Sequence, residues 1–434
     1  MKKPLRSNFF QRPATKTGRW AAGLATAATL MLGANNLGLN PLSQITAFDP
    51  GLLVTAYDLT MFSCLLSAIV LGVVALATKQ ERSWMVWLFM LPALFLAAGL
   101  MVLLFERFMY SEQPESAPTP DANIERMAVI FDDDGSPDGT SALLFLLSEP
   151  RVVVKAVSVS YGEAHPQVYI HHLGWMLAHY GYSSIPLGAG QDAPLAGDNA
   201  FPSTVRDSSN GFWGFQGASP GQSYLVQDSP KLLVETIIQS DKPVTLFASG
   251  ALTSLAQALQ MEPGIRENIA AVFIMGGAVY VPGNINDLLP DIPNKAAEWN
   301  IYVDPLAASQ VFASGLNLYL VPLDATDQVK VTRQDTSKWR KGGNIPDFAA
   351  DIYDSLMSAW NDDEIEMWDL VTAEIMLNPA HCAFTPLRLE VVTAEGDTQG
   401  QTKVVKGQAN VNVCLEPDSL AIKKTLAEVF SSRK

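Results

Sequence analysis

Apolar residues along this chain fall into two different patterns. In the first quarter they form long uncharged runs: residues 59–78 and 84–105 hold no charged side chain, and each reaches the ~20 residues that a helix needs to cross a bilayer. A third uncharged run, 20–48, is interrupted by Asn35, Asn36, Asn40 and Pro41, so only its first half suits a span. It also reads as a signal-peptide hydrophobic region, because Lys2, Lys3, Arg6, Arg12, Lys16 and Arg19 precede it. The pattern therefore predicts a basic tail over 1–19 and a membrane region over 20–110, with two or three transmembrane helices near 20–40, 57–78 and 84–105.

Beyond a Pro-, Ser- and acid-rich linker at 111–125, the runs become short and alternate in period. Strands are predicted at 127–131, 152–160, 243–248, 270–275 and 316–321, with helices at 138–148, 167–180, 252–260 and 305–314 between them. Strands apolar on both faces that alternate with helices predict an α/β domain over 126–434, a mostly parallel, doubly wound (Rossmann-like) sheet covered by helices on both faces and preceded by the transmembrane helices. The tail differs: 387–393, 403–406 and 409–415 predict a terminal antiparallel patch before a closing helix at 418–430. In such sheets ligands bind beyond the carboxyl ends of the strands, so the residues following each strand are the candidates for chemistry.

Charge sharpens this division. Residues 1–110 carry 9 Lys+Arg and 4 Asp+Glu, leaving 20 and 40 for the remainder of a chain whose net charge is −15. Basic residues before the first run and Lys79 and Arg82 between the last two predict three spans with the N-terminus inside, a lipid-bilayer partner, and a membrane-anchored domain outside the cytoplasm. Two spans would return the domain to the cytoplasm. A hydrophobic fraction of 48% excludes a disordered chain, and the acidic balance excludes a nucleic-acid partner. Three cysteines exclude a disulfide scaffold or a four-cysteine zinc site and allow at most one bridge, Cys382–Cys414.

The chemistry concentrates after the first strand, where Asp132, Asp133, Asp134 and Asp138 fall within seven residues. Carboxylates packed so closely raise one another's pKa unless a cation sits among them, and hard oxygen donors suit Ca²⁺ or Mg²⁺. The bland alternative is that they cap the next helix and face water. Among the histidines, His171 and His172 are adjacent and point to different helix faces, a poor metal arrangement. His165 is the one nearest the presumed pocket, and a structural role suits it better than catalysis.

The stretch VIFDDDGS taken alone resembles the haloacid-dehalogenase phosphohydrolases, which would make Asp132 a nucleophile. It also resembles the opening Asp-x-Asp-Pro-Gly-x-Asp-Asp of the inosine-uridine nucleoside hydrolases. Downstream, TLFASGALTSLAQAL (245–259), IMGGAVYVPGN (274–284), AEWNIYVDP (297–305), LVPLDAT (320–326) and MWDLVTAEIM (367–376) look like successive nucleoside hydrolase blocks in the family's order. That resemblance implies hydrolysis of the N-glycosidic bond of a ribonucleoside by a calcium-bound water. Asp134 would be Ca²⁺ ligand and general base, and the Ser249 carbonyl and Asp369 would complete part of the calcium shell. Asp138, Glu163, Asn284, Glu298 and Asn300 would hold the ribose, with Met275 against it. Trp368, where many members have a His, and Trp299 resemble the purine-preferring branch, in which a tryptophan stacks on the base. Phe212 or Trp213 could add a second aromatic wall or simply pack the loop.

The pattern departs from the family at one place: Asp138 is followed by Gly139, where a principal calcium ligand is expected. Asp133, Glu163 or water could replace it. Three readings follow: an active membrane-tethered hydrolase with a rebuilt metal shell, a catalytically impaired nucleoside- or ribose-binding relative, and the phosphohydrolase. The expected partner in the first two is a small-molecule nucleoside, and association into a homo-oligomer stays open.

Overall fold

The structure, a computed structural model, describes residues 126–219 and 221–432. Strand β1 (Met127–Asp133) is buried from Val129 to its end, as a strand covered on both faces must be. Seven further strands lie with it: β2 (Val152–Val159), β3 (Leu187–Ala189), β4 (Val226–Asp228), β5 (Val244–Ser249), β6 (Ile269–Met275), β7 (Leu318–Val321) and, later in the chain, β13 (Val411–Pro417). All of these pair in parallel, and β10 (Cys382–Leu387) closes one edge antiparallel to β13. The order is β10-β13-β7-β6-β5-β1-β2-β3-β4. Two small antiparallel pairs stand apart, β8 (Lys330–Thr332) with β9 (Glu364–Glu366), and β11 (Leu389–Val391) with β12 (Thr402–Val404).

Helices cover both faces. On one lie α1 (Pro137–Ser148), α2 (Pro166–His179), α7 (Asn344–Trp360), α8 (Trp368–Leu377) and α9 (Ser419–Ser431), whose apolar side chains share a core with Val129 and Phe131. On the other lie α3 (Ser229–Gln239), α4 (Thr253–Met261) and α6 (Pro305–Phe312), packed around Ile130 and Leu246, while α5 (Trp299–Val303) also sends Ile301 into that core. Phe131 stacks on Phe247 at 5.2 Å between centroids, locking the two central strands side by side. The connection from β1 runs to β2 on one side and that from β5 to β6 on the other, so the boundary between β1 and β5 is the switch point beyond which ligands bind in such sheets.

The predicted strands and helices from 127 to 321 match observed ones to within a few residues. Two differences stand out. The segment at 409–415 joins the main sheet as β13 instead of completing a separate patch, because it pairs with β7 through Asn412 and Val413. The three-residue strands β3 and β4 are too short to show a period in sequence. Cys382 and Cys414 form the one bridge the sequence allows, tying β10 to β13.

The membrane part of the expected architecture is corrected. Among the described residues no helix is long and apolar enough to cross a membrane. The spans expected near 20–40, 57–78 and 84–105 lie outside the described residues. The bilayer partner, the membrane anchor and the extracytoplasmic location all rested on those spans, and no feature of the described residues carries them.

Because Phe131 and Phe247 are both fully buried, Phe131→Ala should lower the unfolding free energy by about 3–5 kcal/mol in urea denaturation. A loss below about 1 kcal/mol would contradict the packed centre described here.

Candidate active site

The loop after β1 begins the site. Ser136 caps α1, its hydroxyl accepting the Gly139 amide at 2.7 Å, and Pro137 occupies the first helical turn, where a missing N–H costs nothing. This cap turns Asp133, Asp134 and Asp138 inward: Asp133 is 0% exposed, and Asp132, Asp134 and Asp138 are nearly so. The reading of these acids as a solvated helix cap is therefore excluded for all but Ser136's local role.

Each carboxylate has a different setting. Asp134 accepts the Glu163 amide at 3.2 Å and lies in a slot walled by glycines, since a Cβ on Gly162 would fall 2.2 Å from its Oδ2 and one on Gly250 2.6 Å from its Cβ. Asp133 accepts the Gly135 amide and the Ser249 hydroxyl, both at 2.8 Å. Asp138 accepts the Tyr353 hydroxyl and, at 2.7 Å, the Asp369 amide at the start of α8. Asp369 in turn accepts the Ser136 hydroxyl at 2.8 Å. Hence four of the sequence-predicted residues, Asp134, Asp138, Ser249 and Asp369, meet at the ends of β1, β5 and α8, with Glu163 entering from the end of β2.

Burial is the first cause of the electrostatics. It raises the carboxyls of Asp133 to about 7, Asp138 to about 6 and Glu163 to about 8, and those of Asp134 and Asp369 well above the ordinary range. Neighbouring carboxylates push further in the same direction: Glu163 and Asp133 on Asp134, Asp138 and Asp133 on Asp369. Glu163 Oε2 is buried without a hydrogen-bond partner. Oxygen donors that repel one another, one of them unsatisfied, are the donor chemistry of a hard divalent cation. Among the described residues no group of three or more acidic, His or Cys side chains is converged to hold a metal; the carboxylates are turned onto Ser136, Ser249, Tyr353 and backbone amides.

A second wall is built from the ends of β6 and α5. Glu298, 2% exposed, caps α5 through the Asn300 amide at 2.8 Å and also accepts the Gly277 amide at 2.8 Å. Burial lifts its carboxyl to about 7. Asn300 donates its side-chain amide to the Met275 carbonyl at 3.2 Å, and Asn284 accepts the Trp299 amide at 3.2 Å. Gly277, at φ 82°, allows the chain to turn off β6 so that its amide reaches Glu298. Thr402 in β12 holds the next residue from the far side, accepting the Ala278 amide at 3.1 Å and donating to the Ala278 carbonyl at 2.8 Å.

The aromatic residues divide. Trp368 packs on Met275, Ala278 and Leu323 and donates to Asp327 at 3.1 Å, so it stands beside the end of β6. Trp299 is 5% exposed and stacked on Phe201 at 4.3 Å, which takes up one of its faces. Phe212 is packing, stacked on His172 at 4.9 Å, whereas Trp213 reaches the acidic loop and donates to the Gly135 carbonyl at 3.4 Å. Both residues have positive φ, 52° and 54°, a strained conformation for aromatic side chains. His165, His171 and His172 are bound to Asn210, Tyr224 and Ala218 and take no part in the acid cluster. Ser136, Tyr353 and Thr402 were not legible as site residues; Tyr353 lies 215 positions from Asp138, and no local pattern connects them.

Asp132 is 2% exposed, and its carboxylate accepts the Ser160 hydroxyl at 2.6 Å, on the opposite side of β1 from Asp133. It is not placed as a nucleophile. The match to known proteins also runs against the phosphohydrolase reading: residues 129–424 match the family model described as inosine-uridine preferring nucleoside hydrolase. A pyrimidine-specific ribonucleoside hydrolase of Citrobacter koseri is 30% identical over 316 residues, covering 70% of this chain and 97% of that relative. A second, from Escherichia coli, is 30% identical over 290 residues, covering 64% and 88%. Among solved structures, the purine-preferring ribonucleoside hydrolase from Gardnerella vaginalis superposes with a TM-score of 0.62 at 21% identity, covering 70% of this chain and 98% of that one. The inosine-uridine preferring enzyme from Bacillus anthracis gives 0.60 at 23%, covering 70% and 99%.

The expected purine-preferring branch is thereby corrected. The relatives at 30% identity carry pyrimidine-specific names, the purine-preferring structure is related at the level of fold, and Trp299 is already stacked on a protein side chain. Family membership is consistent with a divalent-cation mechanism. The chain belongs to the inosine-uridine preferring nucleoside hydrolase family and is a nucleoside hydrolase, a glycosidase acting on ribonucleosides.

Proposed function

We propose that the chain cleaves the N-glycosidic bond of a ribonucleoside in the crevice beyond β1, β5 and β6, with Asp134 as general base. The observation that carries this reading is the buried group of Asp133, Asp134, Asp138, Asp369 and Glu163 at the switch point of the sheet, whose carboxyls burial raises, with repulsion from neighbouring carboxylates adding to it for Asp133, Asp134, Asp369 and Glu163. Asp134, Asp369 and the Ser249 carbonyl would hold Ca²⁺, which supplies positive charge to keep Asp134 ionised and to acidify a water.

Each of the other residues has a job set by its position. Asp134 accepts the proton of the attacking water, and its glycine-walled slot keeps bulk solvent away. Glu298 and Asn300, fixed by the turn at Gly277 and by Met275, accept from and donate to ribose hydroxyls, helped by Asn284 and Glu163. Such a buried polar pocket rejects sugars lacking a matching hydroxyl. Asp138 is already bound to Tyr353 through one oxygen and to the α8 amide through the other, so it aligns Asp369 and meets a ribose hydroxyl with the acceptor positions that remain. Met275 lies under the sugar, while Trp368 and Trp299 border the base. The names of the 30% identical relatives make uridine and cytidine the first substrates to assay.

Base release from uridine, cytidine, inosine, adenosine and guanosine should depend on CaCl₂ and stop on chelation. Asp134→Asn should lower kcat by about 10²–10⁴-fold with little change in KM; full activity in that variant would remove Asp134 from the mechanism.

The same acids set a pH dependence of stability in chelator. Carboxyls raised from the ordinary 3.8–4.5 to about 6–8 on folding bind protons more tightly in the native state. Their contribution is therefore complete below about pH 4 and is lost as pH rises toward about 8. Thermal unfolding in EDTA should give a Tm that falls between pH 5 and 8, and calcium should raise Tm more at pH 8 than at pH 5. A Tm that is flat or rises over this range would sink the account.

A further inference from the structure

The first turn of α1 carries Gly139 beside Asp138, and the space in front of that glycine is not free. A Cβ built on Gly139 would lie 1.7 Å from Asp133 Oδ1, 2.4 Å from its Cγ and 2.7 Å from its Oδ2. No side chain at 139 can coexist with the Asp133 carboxylate where it stands. Strand β1 and helix α1 thus aim at one small volume from opposite sides, and here the strand fills it.

Asp133 is well placed for a ligand. It is the last residue of β1 and is paired across the sheet with Ser249, the last residue of β5. It also precedes Asp134 directly, and its negative charge acts on Asp134, Asp369 and Glu163. Its two hydrogen bonds, from Gly135 and Ser249, use about half of the roughly four lone-pair positions of a carboxylate. Close by, Glu163 Oε2 is buried with no hydrogen-bond partner. A buried acid with spare acceptor capacity, among acids that repel it, is stabilised by taking up a proton or by a cation.

We infer that Asp133 is the carboxylate ligand that the first turn of α1 lacks, and that Gly139 serves as its cradle: the pair Asp133/Gly139 is one ligand moved from helix to strand. The inference rests on the calcium reading of the site proposed above. It makes the two positions interdependent, which a generic acidic loop would not be.

The test is calcium binding by isothermal titration calorimetry on the full chain, with Tm in EDTA as the check on folding. Asp133→Asn, which keeps the shape and the Ser249 contact, should weaken binding by at least about tenfold. Gly139→Asp alone should also weaken it, through the clash. Asp133→Ala combined with Gly139→Asp should restore affinity to within a few-fold of the parent, because the carboxylate returns from the helix side. Parental binding by Asp133→Asn overturns the inference, as does a folded double variant with no recovery. Loss of binding in Glu163→Gln but not in Asp133→Asn assigns the ligand to Glu163 and overturns it equally. A parent chain that binds no calcium would fail the underlying metal reading instead, so the two failures are distinguishable.

Discussion

The constraint on which this molecule depends is electrostatic: several carboxylates are held out of water at the end of the central strand. Isolated buried anions are too costly to persist, and the fold offsets part of the cost with donors from the α1 cap at Ser136, from Ser249 on β5, from Tyr353 on α7 and from the α8 amide, while Glu163 Oε2 has none. Burial still leaves every one of these acids with a raised pKa. The site is thus prepared for positive charge before any ligand arrives, which is the preorganisation that cleavage through a cation-like sugar requires.

Around that centre the sheet acts as a ruler. Register fixes Asp133 against Ser249 and Asp132 against Ala248, and the alternation of β1 sends Asp132 and Asp133 to opposite faces. One aspartate is consequently spent on the serine-lined side and the next on the site. The wall built from β6 and α5 obeys the same logic. β6 ends at Met275, Gly277 turns the chain, and Glu298 binds that turn to the start of α5, so three separate segments are made into one surface by a single side chain.

Much of this was legible in the amino-acid sequence, and what was not has identifiable causes. The short apolar runs at 127–131, 243–248 and 270–275 became central strands because burial on both faces leaves an unbroken apolar signature. The acid-rich loop and the family blocks singled out Asp134 and Glu298, which the fold brings near enough for their charges to interact. Tyr353, Ser136 and Thr402 were invisible because their roles arise from contacts across long stretches of chain, and a hydroxyl in a helix or strand has no periodic mark. The purine-preferring reading misled for a related reason: a sequence shows an aromatic ring but not which face of it a neighbour already occupies, as Phe201 does for Trp299.

The small hairpin β11–β12 has the look of an appendage, yet Thr402 grips both backbone groups of Ala278. That clasp makes the far C-terminal portion a structural party to the turn that follows β6. Chimaeras that exchange everything after β10 between family members would therefore also exchange the side chain that fixes the turn following β6.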